Sequence, residues 1–162
     1  MDNVFFQWFN QYFSRELAVF FISFLPIVEL RGAIPLAISL GITPWRAYWL
    51  AVTGNIIPVI PLLLFLVPVR DFLIKHFVLM ERFFTSLEKR TLKKSDKLEK
   101  YGPIALILFT AIPFPTTGAW TASLAAVLFK IKFKDAFLAI ITGVLIAGII
   151  MIILSLSGKA IF

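Results

Sequence analysis

Between Leu25 and Pro35 the chain reads Leu-Pro-Ile-Val-Glu-Leu-Arg-Gly-Ala-Ile-Pro, a glutamate and an arginine set between two prolines inside apolar sequence. An ionisable side chain at bilayer depth costs roughly 3 kcal/mol unless it is paired or faces water, and each proline removes a backbone donor from any helix that contains it. The segment therefore reads as a broken, functional membrane segment rather than a plain spanning helix.

The remainder of the chain supports a membrane setting. Of its 162 residues 60% are hydrophobic and 15% aromatic, 18 of them Phe, more apolar surface than a soluble domain of this size can bury. The net charge of +7 lies in stretches that flank apolar blocks instead of forming one patch, which argues against a nucleic-acid partner. With no cysteine, disulfides, thiolate catalysis and cysteine-based metal sites are excluded. The first residues, Met1-Asp2-Asn3 running into Val4-Phe5-Phe6, lack a basic region and a small-residue cleavage site, so the N-terminus is expected to be retained.

Apolar blocks fall at about 17–43, 45–69, 103–129 and 134–157, and a charged stretch at 70–102 separates them into two pairs. Each half runs in the same order: an aromatic amphipathic piece, a Pro/Gly-interrupted apolar block, then a cleaner apolar span. Ala47-Tyr48-Trp49-Leu50-Ala51-Val52-Thr53-Gly54 aligns without a gap with Ala136-Phe137-Leu138-Ala139-Ile140-Ile141-Thr142-Gly143, and Pro26 and Gly32 have rough counterparts in Pro113 and Gly118.

Length and charge set the topology. A helical arm such as 17–30 reaches about 21 Å at ~1.5 Å per residue, past the midplane of a ~30 Å core but short of its far side. Arg70, Lys75, Arg82, Lys89, Arg90, Lys93, Lys94, Lys97 and Lys100 place the linker in the cytoplasm. If block 103–129 turns back, Lys130, Lys132 and Lys134 join them; if it spans, they lie outside. The expected fold class is thus an all-α integral membrane protein of two inverted repeats, each an amphipathic helix, a re-entrant hairpin and a transmembrane helix. The first repeat is 1–69, with its hairpin at 17–43 and its span at 45–69. The basic cytoplasmic linker is 70–102, and the second repeat is 103–162, with its hairpin at 103–129 and its span at 134–157. A four-span bundle is the alternative.

Candidate chemistry gathers at the two interrupted tips. Glu29 and Arg31, with Gly32 and Pro35 beside them, can face one cavity around a break, although two residues apart on a continuous helix they would diverge. An Arg fork suits a phosphate or carboxylate, and a buried Glu suits a coupling proton; the competing reading is a pair that merely neutralises itself. The second tip offers Pro113, Pro115, Thr116, Thr117, Gly118 and Trp120, with hydroxyls and backbone amides of the kind that coordinate ions at half-helix ends. Its competing reading is a turn whose threonines satisfy freed backbone groups. Asn55, between Gly54 and Pro58, is a further candidate, lining the cavity or bonding between helices. Trp45, Arg46, Tyr48 and Trp49 read as an interface anchor.

Enzymatic chemistry finds no support. The sequence has no Gly-rich phosphate loop, no His/carboxylate cluster and no nucleophile beside a base, so neither a catalytic residue, a metal nor a cofactor is expected.

The segment Glu29-Leu30-Arg31-Gly32-Ala33-Ile34-Pro35, with Ile112-Pro113-Phe114-Pro115-Thr116-Thr117-Gly118-Ala119-Trp120 downstream, resembles the putative small multi-drug export protein family, itself distantly similar to the DedA membrane proteins. The resemblance covers about 17–156. It implies two inverted re-entrant hairpins, each followed by a transmembrane helix, a fold associated with the transport or scrambling of lipids. DedA proteins are linked to undecaprenyl phosphate recycling and to proton-dependent envelope functions that need membrane-embedded acidic and Arg residues, and Glu29 matches the acidic residue of their first hairpin. Their second hairpin usually carries an Arg, whereas Pro115-Thr116-Thr117-Gly118 has none, which counts against a phosphate substrate.

The function expected is a multi-pass plasma-membrane transporter or flippase. It would be proton or cation coupled, moving an amphiphilic or lipid-phosphate substrate through a cavity between the hairpins among membrane lipids. A gradient-independent lipid scramblase, a multidrug exporter and a non-transporting assembly or adaptor protein are the alternatives. Two spans per chain bury little protein around a polar pathway, so a homodimer is expected.

Overall fold

The computed structural model describes residues 15–76, 95–114 and 117–159, and every regular element among them is an α-helix. Helix α1 covers 15–24. It is followed by α2 (Glu29–Ser39), α3 (Pro44–Ile56), α4 (Val59–His76), α5 (Ser95–Ala111), α6 (Ala119–Leu128) and α7 (Phe133–Lys159). The aromatic segment Phe5 to Phe13 and the middle of the charged stretch, 77–94, lie outside the described residues. Helix α4 runs into that stretch from one side and α5 begins within it on the other.

Proline sets the interruptions. Pro26 falls just after α1, and a turn over 25–28 carries the chain into α2, with the Leu25 amide donating to Ile22 O (3.1 Å) and the Glu29 amide to Leu25 O (3.0 Å). Pro58 divides α3 from α4 because it has no N–H to give the Gly54 carbonyl. Even so, the stretch Pro44–Phe72 remains helical and apolar for 29 residues.

Helix α2 ends on a left-handed residue, Gly41 at φ 80, in the pattern that closes many helices. The Gly41 amide donates to Ile38 O (3.2 Å) and the Ile42 amide to Ala37 O (3.0 Å), and the next helix opens with Ala47 donating to Thr43 O (2.9 Å). The same three bonds recur at the end of α6, all moved along the chain by one constant shift: Lys130 to Val127 O (3.2 Å), Ile131 to Ala126 O (2.9 Å), Ala136 to Lys132 O (2.9 Å). Lys130 occupies the left-handed position, at φ 54. The shift is the one that aligns Ala47–Gly54 with Ala136–Gly143.

The chain divides into two compact units, one of residues 1–57 with 145–162 and one of 58–144. In the first, α2 lies along α3, with Leu30, Ala33, Ile34, Ala37 and Ile38 buried on one helix and Ala47, Ala51 and Val52 on the other. Helix α1 comes close enough to α3 that a methyl group on Gly54 would strike the Ser23 hydroxyl and lie 2.5 Å from Phe20 O. The last part of α7 belongs to this unit. Gly148 sits where a methyl group would be 2.7 Å from the Tyr48 ring, and the Tyr48 hydroxyl donates to Leu145 O (3.2 Å).

In the second unit α6 packs on both α4 and α5, and α5 closes on the first part of α7 at Gly143, where a methyl group would lie 2.5 Å from Thr110 Cβ and 2.9 Å from Ile107 O. Each unit thus has a Pro-interrupted helix pair, the first half of the long helix that follows that pair, and the second half of the other long stretch.

Large apolar side chains face outward throughout, with Ile27 90%, Trp45 69% and Phe65 68% exposed. In water such a surface would drive aggregation. Among the described residues two stretches, Pro44–Phe72 and Phe133–Gly158 of 29 and 26 residues, are long and apolar enough to cross a bilayer, since about 20 residues suffice. The chain is a membrane protein.

Candidate functional site

The strongest candidate is the first turn of α2. Glu29 opens that helix at φ 50, a left-handed conformation that few residues other than glycine adopt and that costs about 1–3 kcal/mol. Such strain persists only where surrounding structure imposes it. Glu29 is nevertheless buried, 5% exposed, and no other charged residue among the described ones is buried. The break at 25–28 supplies the geometry: the chain must reverse out of α1, and the Glu29 amide is tied to Leu25 O while its side chain turns inward.

Arg31 follows at half-buried depth, close enough for the charge of Glu29 to act on it. Both residues lie in α2, two positions apart, and the turn over 25–28 precedes them instead of falling between them. Gly32 leaves room for the Val28 side chain, whose Cγ1 a methyl group at position 32 would strike, and its amide donates to Val28 O (3.1 Å). Pro35, within α2 and half-buried, has no N–H to offer the Arg31 carbonyl.

Asn55 is buried to 1% exposure on α3, and its side-chain amide has a hydrogen-bond partner at neither Nδ2 nor Oδ1. Glu29, Arg31, Gly32, Pro35 and Asn55 all belong to one compact unit.

The second tip is built differently. Pro113 and Phe114 are exposed, Gly118 is buried and Trp120 is half-buried, while Pro115 and Thr116 lie outside the described residues. The Thr117 hydroxyl donates to Ile112 O (2.7 Å) and Phe114 O (3.1 Å), so it satisfies carbonyls that the break releases. Gly118 enters α6 at φ 156 and ψ −173, a region that side chains disfavour, and its carbonyl accepts from the Ala122 amide (2.8 Å) and the Thr121 hydroxyl (3.3 Å). The described part of this tip is a hydroxyl-tied turn, with no carboxylate or basic residue between Ala111 and Leu128. Among the described residues no group of three or more His, Cys, Asp or Glu could hold a metal.

One expectation needs correction. Tyr48 is not an interface residue like Trp45 and Trp49, which are exposed; it is buried, and its ring packs on Gly148. Arg46 does face outward, and pairs with Glu16 at 3.4 Å. Sequence reading also passed over Ser23 and Thr110, buried hydroxyls that turn back onto Phe20 O (2.6 Å) and Leu106 O (2.7 Å) and present their outer surfaces to Gly54 and Gly143. Their signal was a small polar residue three positions before the Pro26 and Pro113 breaks.

A family model described as "Putative small multi-drug export protein" matches residues 29–150 of this chain. The match begins at Glu29. No curated protein and no solved structure matches.

Proposed function

The chain belongs to the putative small multi-drug export protein family, and from that premise we propose that it is a membrane transporter whose substrate or coupling site is the Glu29–Arg31 pair at the start of α2. The observation that carries the reading is the state of Glu29: a carboxylate 5% exposed, held at φ 50 in a membrane protein, beside a basic residue that feels its charge. Ionisable groups in that situation line substrate or ion pathways by default, and backbone strain gathers where function requires it. The substrate is an amphiphile, in keeping with the family's name, and movement is coupled to a proton or another cation through Glu29.

Two further elements belong to the proposal. Helices α2 and α6, of 11 and 10 residues, extend only about 15–17 Å at ~1.5 Å per residue, short of a ~30 Å core. That length supports re-entrant hairpins over 17–43 and 103–129. The recurrence of the cap hydrogen bonds under one constant shift supports a duplicated unit, and the basic linker and lysines 130, 132 and 134 support inverted halves in the plasma membrane with a cytoplasmic linker. The protein acts as a homodimer in this scheme.

The test is reconstitution of the full chain in proteoliposomes with an imposed pH gradient. Ethidium uptake and the flipping of a fluorescently labelled lipid phosphate are followed for wild type and Glu29→Gln. Gradient-driven movement of either probe that disappears in Glu29→Gln is the expected result. Movement equal with and without the gradient would replace coupled transport by scrambling. No movement of either probe by the wild type would cost the transport reading, and equal movement in wild type and Glu29→Gln would remove Glu29 from the site.

A further inference from the structure

We infer that Asn55 and Glu29 hold a water molecule between them in the seam of α2 and α3, which makes Asn55 a positioning residue for the Glu29 carboxylate. The inference rests on the reading of Glu29 as the functional group, and it concerns what keeps that group in place.

Register puts the two residues at one level. Helices α2 and α3 pack against each other and are joined by the short connection over 40–43. Glu29 is the first residue of the 11-residue α2, and Asn55 the penultimate residue of the 13-residue α3. Both therefore stand at the end of the seam remote from the connection. The buried positions step in the same rhythm along both helices, Ile38, Ile34 and Leu30 on one and Ala47, Ala51 and Asn55 on the other.

Asn55 defines the chemistry. Its amide is 1% exposed, and neither the donor nor the acceptor has a partner in the protein. Buried amides are almost always satisfied, by protein or by ordered water, and a polar site between helices is where such water is kept. Pro58 adds an acceptor nearby, since it cannot donate to the Gly54 carbonyl. Ser23, whose hydroxyl lies against Gly54, contributes a third polar group from α1.

The ligand must both accept from Nδ2 and donate to an oxygen. A metal cation would face the amide N–H and the nearby positive charge of Arg31, and an anion would face Glu29. Water meets both requirements: it accepts from the Asn55 amide and donates to the Glu29 carboxylate, fixing the carboxylate.

Infrared spectra of the purified full chain in lipid nanodiscs test this. The stretching band of Glu29 is assigned by its loss in Glu29→Gln, and bound water by an O–H band that moves in H2-18-O. We expect the Glu29 band to shift in Asn55→Leu, the water band to vanish there, and both to return in Asn55→Ser, which keeps a polar group and controls for misfolding. A Glu29 band unmoved in Asn55→Leu would overturn the inference, and so would a band that shifts when sodium replaces choline, which would put a cation at the site. Because the readout needs no transport, failure of both proteoliposome probes with these spectra as expected would cost the transport reading and leave the water site standing.

Discussion

Gly54 and Ser23 are in direct contact across α1 and α3: the hydroxyl of one fills the space that a side chain on the other would need. Gly143 and Thr110 repeat the relation between α5 and α7. Close helix approach of this kind is how membrane proteins gain packing energy where lipid tails remove the hydrophobic drive between helices.

Adding one methyl group should therefore be costly at both places. Gly54→Ala and Gly143→Ala each meet a backbone carbonyl, Phe20 O and Ile107 O, which cannot swing aside. A loss of about 1–3 kcal/mol is expected for each, measured by thermal melting in mild detergent. Gly158→Ala, with open space around it, should be neutral or slightly stabilising.

The left-handed residues closing α2 and α6 make a second pair. Gly41 suits its position, whereas Lys130 holds the same conformation with a side chain. Lys130→Gly is expected to raise stability by up to ~1 kcal/mol, and Gly41→Ala to lower it by about as much. Equal melting temperatures for Lys130→Gly and wild type would show that the lysine offsets its strain with contacts of its own.

Tyr48 donates to Leu145 O from a buried ring. Tyr48→Phe keeps the packing on Gly148 and removes only the hydrogen bond, so a loss of about 0.5–1.5 kcal/mol is expected. The check is chemical unfolding in mixed micelles, with Trp49→Phe, at an exposed position, as the reference that should stay near wild type.

The Glu29–Arg31 pair can be separated into its structural and functional parts. Glu29→Gln and Arg31→Gln should each destabilise, because one charge is left in a dry place, and the double variant should regain part of the loss through a coupling of about 0.5–3 kcal/mol. Transport should stay lost in all three. A double variant that regains transport as well as stability would make the pair structural.

Much of this was legible beforehand, for physical reasons. Pro26 and Pro113 mark interruptions because proline cannot donate, whereas the division at Pro58 falls inside the stretch 45–69 that reads as one unbroken span; the match of Ala47–Gly54 to Ala136–Gly143 carries into matching caps because caps are set locally by short sequence. Glu29 and Arg31 stood out because charge among apolar residues is expensive. The left-handed backbone of Glu29 could not be read, since it is imposed by the turn out of α1 and runs against the residue's own preference. Nor could the burial of Tyr48: an aromatic residue next to Trp45 and Trp49 has the composition of an interface belt, and only the arrival of Gly148 from the far end of the chain covers it. The same holds for Gly54, whose partner Ser23 lies on another helix.

That arrival has a consequence for biogenesis. The unit that contains the Glu29 site is completed by residues from 145 onward, so when a ribosome has made α1, α2 and α3 the face of Tyr48 that Gly148 and Leu145 will occupy is still bare. The early helices must wait in the lipid, through synthesis of all of 58–144, for the end of the last one. A nascent chain stalled before α7 emerges should be a ready substrate for membrane quality-control proteases.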